Sequence, residues 1–213
     1  MGECGRPSAR RDSAIPAVTW AVGLGAWLVL VGTGVVLLWS EKTTSGAAAL
    51  APERWPRDSA LTPEQERATI VMLAHPHCPC TRASLGELAS LMALAGTRAS
   101  AHVLFLAPGD TGEGWEQTEL WRTAAAIPGV AVHADRGGRE AARFGAATSG
   151  QALVYDSAGR LRFRGGITDA RGHYGDSVGK GRIVALLGGS ADALGVAPVF
   201  GCALDEPPAE RRR

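Results

Sequence analysis

The segment from Ala68 to Gly96 reads ATIVMLAHPHCPCTRASLGELASLMALAG, and its texture changes twice. Residues 68–74 form a continuous apolar run closed by His75-Pro76, the pattern of a strand buried on both faces. Leu85, Leu88, Leu91, Met92 and Ala95 then recur at helical spacing until Gly96, a residue type that ends helices. At the junction stands His75-Pro76-His77-Cys78-Pro79-Cys80. A thiol at a helix N-terminus meets unpaired N–H groups and the positive end of the helix dipole, and both favour thiolate over thiol. Pro79 suits a first helical turn, where its missing N–H costs nothing. The thiolate is the nucleophile of disulfide exchange, which makes Cys78 and Cys80 the leading candidates for chemistry.

Working outward, strand and helix patterns alternate. Residues 101–107 read as a strand and 115–126 as a helix ended by Ile127-Pro128. Residues 130–134 read as a strand and 138–146 as a short helix. Residues 151–156 and 160–165 read as strands joined by Ser157-Ala158-Gly159 in a hairpin. A glycine-rich stretch leads into a last helix, RIVALLG at 182–188. The order implies a mixed α/β sheet, with no internal repeat. Residues 41–66 have the small, polar, proline-bearing composition of a tether, with one helical turn where Thr62 caps Pro63 and Glu64. From residue 191 follows a tail containing Pro198, Cys202, Pro207-Pro208 and Arg211-Arg212-Arg213, expected to be partly disordered.

The 213 residues suffice for one domain with a good core. Lys+Arg is 22 against 21 Asp+Glu, which gives no electrostatic basis for nucleic-acid binding. Four cysteines are too few for a disulfide-stapled miniprotein, and their spacing does not suit a four-cysteine zinc site. A mean hydropathy of +0.02 traces to one segment. No charge occurs between Asp12 and Glu41, and residues 17–39 read AVTWAVGLGAWLVLVGTGVVLLW. As a helix this run is roughly 34 Å long, against a hydrocarbon core of about 30 Å. Trp20 and Trp39 fall near its ends, at headgroup level. The alternative is a cleaved signal peptide, with AAALA at 47–51 imitating a cleavage site, but signal h-regions run only about 7–15 residues. Arg6, Arg10 and Arg11 precede the span and only Lys42 closely follows it, so residues 1–16 are expected in the cytoplasm. The expected order is therefore that basic tail, a single-pass bilayer helix at 17–39, a tether at 40–66, a periplasmic or extracytoplasmic domain at 67–190 and the tail at 191–213. Cys78, Cys80 and Cys202 then share the oxidising side, while Cys4 does not. Arg6 stands where an N-myristoylation signal needs Ser or Thr, which argues against lipidation.

The stretch FGAATSGQALVYDSAGRLRFRGG at 144–166, together with the strand–Cys–helix junction, resembles the thioredoxin-like superfamily, specifically its membrane-anchored TlpA/ResA branch with peroxiredoxin-like connectivity. Phe144-Gly145 takes the branch's aromatic-Gly place, Asp156 the strand end and Gly159 the hairpin glycine. The resemblance covers about residues 67–190 and implies a thioredoxin-like, five-stranded mixed sheet flanked by helices, with dithiol chemistry against protein thiols and disulfides. Two departures stand out. The usual Cys-x-x-Cys is replaced by Cys78-Pro79-Cys80-Thr81, so that Thr81 takes the second cysteine's place and Cys80 is an extra thiol in the loop. The alternative register puts Cys80 second and His77 first. The slot of the family's cis-proline is Gly150, so client specificity does not carry over.

The expected reaction is thiol–disulfide exchange in which Cys78 attacks and Cys80 resolves, without a cofactor. A Cys-x-Cys pair can close a disulfide within the usual Cα separations, in a small and easily reduced ring. The topology brings Arg171, His173 and Asp176 near Cys78, where Arg171 holds a thiolate by charge and His173 shuttles its proton. A solvated glycine-rich turn is the competing reading of that loop. Cys202 lies among Val199, Phe200 and Gly201, and its apolar neighbours suggest a tail folded back onto the domain, where it resolves a mixed disulfide or rests as an inert thiol. A different-class reading is copper binding or delivery by His75, His77, Cys78 and Cys80, whose sulfur and imidazole donors suit Cu(I) or zinc. The fold's resemblance to Sco-type copper proteins favours it, and their Cys-x-x-x-Cys spacing does not. A thiol peroxidase fits less well, since Val71 and His75 occupy the places of that family's Pro and Thr/Ser. A noncatalytic interaction domain is a further alternative. His102 and His133 read as packed strand residues, and Trp115 and Trp121 as core or rim of an inserted helix.

Overall fold

The computed structural model describes residues 17–47, 50–109, 111–190 and 193–204. Cys4 and the terminal arginines fall outside them. The chain divides into two units, residues 1–41 and 42–213. The first holds all but the last two residues of α1 (Ala17–Thr43), which is continuous over the expected apolar run. Val18–Thr43 has a mean hydropathy of 2.2 and is long and apolar enough to cross a membrane. Its large apolar side chains, from Val18 to Trp39, are exposed on every side of the helix.

The second unit is an α/β domain, a mixed sheet flanked by helices. Its elements are β1 (Ala68–Ala74), α2 (Pro79–Ala95), β2 (Ala99–Ala107), α3 (Glu119–Ala125), β3 (Val130–Arg136), α4 (Arg139–Arg143), β4 (Gln151–Tyr155), β5 (Leu161–Gly166), α5 (Val178–Leu187) and β6 (Gly195–Val196). The sheet order is β3-β2-β1-β4-β5-β6. β1 lies inside it, parallel to β2 and antiparallel to β4, which explains its unbroken apolar run. Ile70 and Met72 face a core with Leu85, Leu88 and Leu91 of α2, whereas Val71 and Leu73 face a second core with Phe144, Leu153 and Tyr155. The strand's alternating side chains thus anchor both layers.

Five strands were expected and six are present, because the segment after residue 190 adds β6 parallel to β5. That segment was expected to be partly disordered. Its described residues 193–204 instead pack on the domain, burying Ala197, Val199, Phe200 and Leu204. The expected tether also differs. Trp55 N–H donates to Gly159 O and Leu161 N–H to Glu53 O, while the Trp55 indole packs edge-on against Phe144 and Tyr155 at 5.1 and 5.2 Å. Ala51 and Leu61 enter the second core. This segment docks through isolated contacts to distant residues, which leave no periodic trace. The helical turn expected after Thr62 does not form. The helix expected at 115–126 is confined to Glu119–Ala125 and that at 138–146 to Arg139–Arg143. α5 begins four residues earlier than its apolar pattern. Ser177 Oγ accepts from Lys180 N–H as its cap, and Gly179 lets the helix approach Gly166 O where a Cβ would collide.

Candidate active site

β1 ends by delivering the loop 75–78 to the start of α2, and Cys78 is the N-cap residue, with extended backbone at φ −86° and ψ 119°. Pro79 occupies the first turn, as its chemistry requires. The loop is held from behind by hydroxyls. Cys78 N–H donates to His75 O at 3.2 Å, and Thr81 Oγ1 donates to the same carbonyl at 3.1 Å. Ser149 Oγ accepts from His75 N–H at 2.9 Å and lies 2.9 Å from Thr81 Oγ1. Thr81 therefore serves as a buried polar clasp. Gly150 adopts φ +86°; its N–H donates to Leu73 O at 2.7 Å, and the chain has no cis peptide among its described residues. A Cβ there would lie 2.7 Å from Ser84 Oγ.

Three thiols converge at this junction. Cys78, Cys80 and Cys202 are all free, and they lie close enough to shift one another's acidity. Cys78 is 2% exposed, while Cys80 and Cys202 are half-buried. Hydrogen bonds from Cys202 and then from Cys80 hold the Cys78 thiolate far below the ordinary thiol range, against the opposing effect of burial. Cys202 is pushed far up by its bonds to Cys78 and Cys80 and by burial, so it keeps its proton. Cys80 is pulled down by Cys202 but pushed up more by its bond to Cys78, by burial and by the Cys78 charge. The cluster thus has one nucleophile and two donors. The dipole of the 17-residue α2 adds in the same direction.

The glycine-rich loop is pinned to α2 by Glu87, whose Oε1 accepts from Gly175 N–H at 2.7 Å and whose Oε2 pairs with Lys180 Nζ at 2.8 Å. Both side chains of that ion pair are largely buried, and the sequence reading did not single them out. Gly86 leaves room for the Tyr174 ring on the same helix face, where a Cβ would lie 2.5 Å from a ring carbon. The loop brings Arg171 close enough for its charge to favour the Cys80 thiolate, whereas the expected effect was on Cys78. His173 is exposed, its N–H closes a turn onto Ala170 O, and its Nε2 lies 3.7 Å from a Cβ position on Gly175 of its own loop. Asp176 is likewise exposed.

The histidines before Cys78 form a rim. His77 N–H donates to His75 Nδ1 at 3.1 Å, and both rings rest on Trp115, with centroids 5.7 and 4.5 Å away. Trp115 lies in a turn before α3, whose Thr118 Oγ1 donates to Pro76 O. Among the described residues no group of three or more His, Cys, Asp or Glu side chains is arranged to hold a metal ion. His102 and His133 pair with each other, Nδ1 to Nε2 at 3.0 Å, across β2 and β3. Ser149 was missed by sequence reasoning; its one signal was its place beside the departure at Gly150.

No family model matches the chain, and no curated protein matches it. Among solved structures, an uncharacterized conserved protein from Geobacillus kaustophilus is similar at TM-score 0.55 and 19% identity, over 78% of this chain and 94% of that one. A hypothetical protein from Sinorhizobium meliloti is similar at TM-score 0.54 and 19% identity, over 79% and 99%. A weaker likeness, TM-score 0.42 at 11% identity, extends to a secreted Mycobacterium tuberculosis disulfide oxidoreductase over 59% of this chain and 83% of that one. At these identities the likeness concerns the fold alone.

Proposed function

We propose that this chain is a membrane-anchored, extracytoplasmic thiol–disulfide oxidoreductase with Cys78 as nucleophile. One observation carries the reading: a cysteine at a helix N-cap whose thiolate is held by two neighbouring thiols. Cys78 Sγ attacks one sulfur of a client disulfide, forming a mixed disulfide and releasing the other client sulfur as a thiolate, which takes a proton. Cys80 then loses its proton and attacks Cys78 Sγ, forming the Cys78–Cys80 disulfide and releasing the second client thiol. The client gains two electrons and the Cys78–Cys80 pair loses them; the reverse sequence oxidises a client dithiol. Arg171 supports the second step, because its charge favours the Cys80 thiolate. The apolar α1 and the basic residues before it support anchoring with the domain outside the cytoplasm.

The test uses the full-length chain in detergent micelles with a disulfide-bonded peptide. Cys78→Ser is expected to abolish exchange, and Cys80→Ser to accumulate a mixed disulfide at Cys78, seen by peptide mass mapping. Unchanged turnover in Cys78→Ser removes Cys78 from the mechanism. Thiols at 78 and 80 that stay reduced across all glutathione ratios defeat the exchange reading.

A further inference from the structure

The segment 195–204 crosses the mouth of the site as a strap, and its seating is written into the sequence by glycines. Ala197 N–H donates to Arg164 O at 3.1 Å and Gly166 N–H to Pro198 O at 3.1 Å. Ser149 N–H donates to Cys202 O at 2.8 Å and Leu204 N–H to Ala147 O at 2.9 Å. Thr148 and Ala203 form an antiparallel bridge. A Cβ on Gly165, Gly166 or Gly201 would come inside 3.0 Å of backbone across this seam. The seam is therefore a channel cut to accept an extended backbone, with bare glycines on both sides of it.

The strap sets Cys202 beside the nucleophile. Cys78 is 2% exposed, and attack on an outside disulfide requires that disulfide to approach Cys78 Sγ. β1 and α2 are core elements, with Ile70, Leu85 and Leu88 wholly buried, and the loop 75–78 is clasped by Thr81 and Ser149. The strap beyond β6 belongs to no regular element, and it puts the protonated Cys202 sulfur against the Cys78 thiolate. This is the place an incoming client sulfur has to take.

Building on the exchange reading above, we propose that residues 197–204 are a displaceable internal substrate. The strap fills a channel that receives an extended, cysteine-bearing polypeptide segment, and the client enters by replacing it. A client strand that pairs with Ser149 N–H and Ala147 O in the manner of Cys202 and Leu204 has its own cysteine beside Cys78. Cys80, on α2, stays behind to resolve the mixed disulfide while the strap is out. Closure of the strap over the reduced site then shields the thiolate between clients.

The experiment compares iodoacetamide alkylation of Cys78 in the full-length protein and in Gly201→Val, where the new side chain collides with Ser149 O. Rates are read on the alkaline plateau of the pH profile, where Cys78 is thiolate in both, so they report access rather than acidity. The expected result is a plateau rate raised at least tenfold, with faster exchange against a disulfide-bonded peptide. An unchanged plateau in a natively folded variant overturns the proposal. Faster alkylation with no exchange by either protein keeps the strap as a cover and defeats the exchange reading instead. If Gly201→Val fails to fold, hydrogen exchange on the unmodified protein decides. The Leu204 amide, whose bond lies within the strap seam, is expected to exchange at least tenfold faster than the amides of β1 and β4. Equal protection overturns the proposal.

Discussion

Replacing Cys202 with Ala removes the foremost influence on Cys78, the hydrogen bond that Cys202 makes to its thiolate. A hydrogen bond to a charged group contributes about 1.5–3 kcal/mol. At about 1.36 kcal/mol per pKa unit, its loss should raise the Cys78 pKa by about 1–2 units. The Cys80 bond and the α2 N-terminus remain, so the value is expected to stay below that of a free thiol. The assay is the rate of iodoacetamide alkylation at Cys78 against pH, resolved by peptide mass mapping of the full-length chain in detergent. Its midpoint reports acidity and its plateau reports access. The expected outcome is an upward shift of the midpoint. Coincident midpoints in the two proteins would refute the hydrogen-bonded thiolate and with it the distribution of roles among the three cysteines. Stability offers a second readout. The folded-state pKa of Cys78 lies below the unfolded value, so between the two the unfolded chain holds the proton and the folded chain does not. The contribution of Cys78 to stability therefore rises with pH through that window, is fully present above the ordinary thiol range, and is lost as pH falls through the folded pKa, while Cys80 and Cys202, whose pKa values are raised, act in the opposite sense above that range. Cys202→Ala narrows the window and should flatten this slope.

Glu87→Gln leaves the Lys180 ammonium buried without its carboxylate, and breaking such a pair costs about 3–5 kcal/mol, read from urea denaturation. The same variant should loosen the loop that carries Arg171, slowing formation of the Cys78–Cys80 disulfide in a single-turnover assay. Trp55→Ala should lower stability by about 2–3 kcal/mol, because its indole packs edge-on against Phe144 and Tyr155; a change near zero would return residues 50–61 to the status of a tether. His102 and His133 both have pKa values lowered from 6.5, through burial first and, for His102, the neighbouring His133 charge. The unfolded chain then binds more protons, so stability should fall as pH drops below about 6.5 towards the folded values, and His102→Gln should reduce that slope in thermal melts.

The amino-acid sequence by itself determined the apolar helix, the order of strands and helices, and the strand–thiol–helix junction. Each is local: a run of apolar residues, a repeat of 3.6 or 2, or a proline one residue past a cysteine. Ile70 to Ala74 could be read as an inner strand because burial on both faces leaves no polar alternation. What only the tertiary structure decided is everything that depends on residues far apart in the chain. Trp55 finds Phe144 and Tyr155, Glu87 finds Lys180, and Ser149 links His75, Thr81 and the Cys202 carbonyl. Cys202 and Cys78 are 124 positions apart, and the apolar residues around Cys202 marked a docked tail without saying where it docks. Their meeting follows from the strap's fit into a seam of glycines, and a glycine shows what it makes room for only after the chain has closed around it.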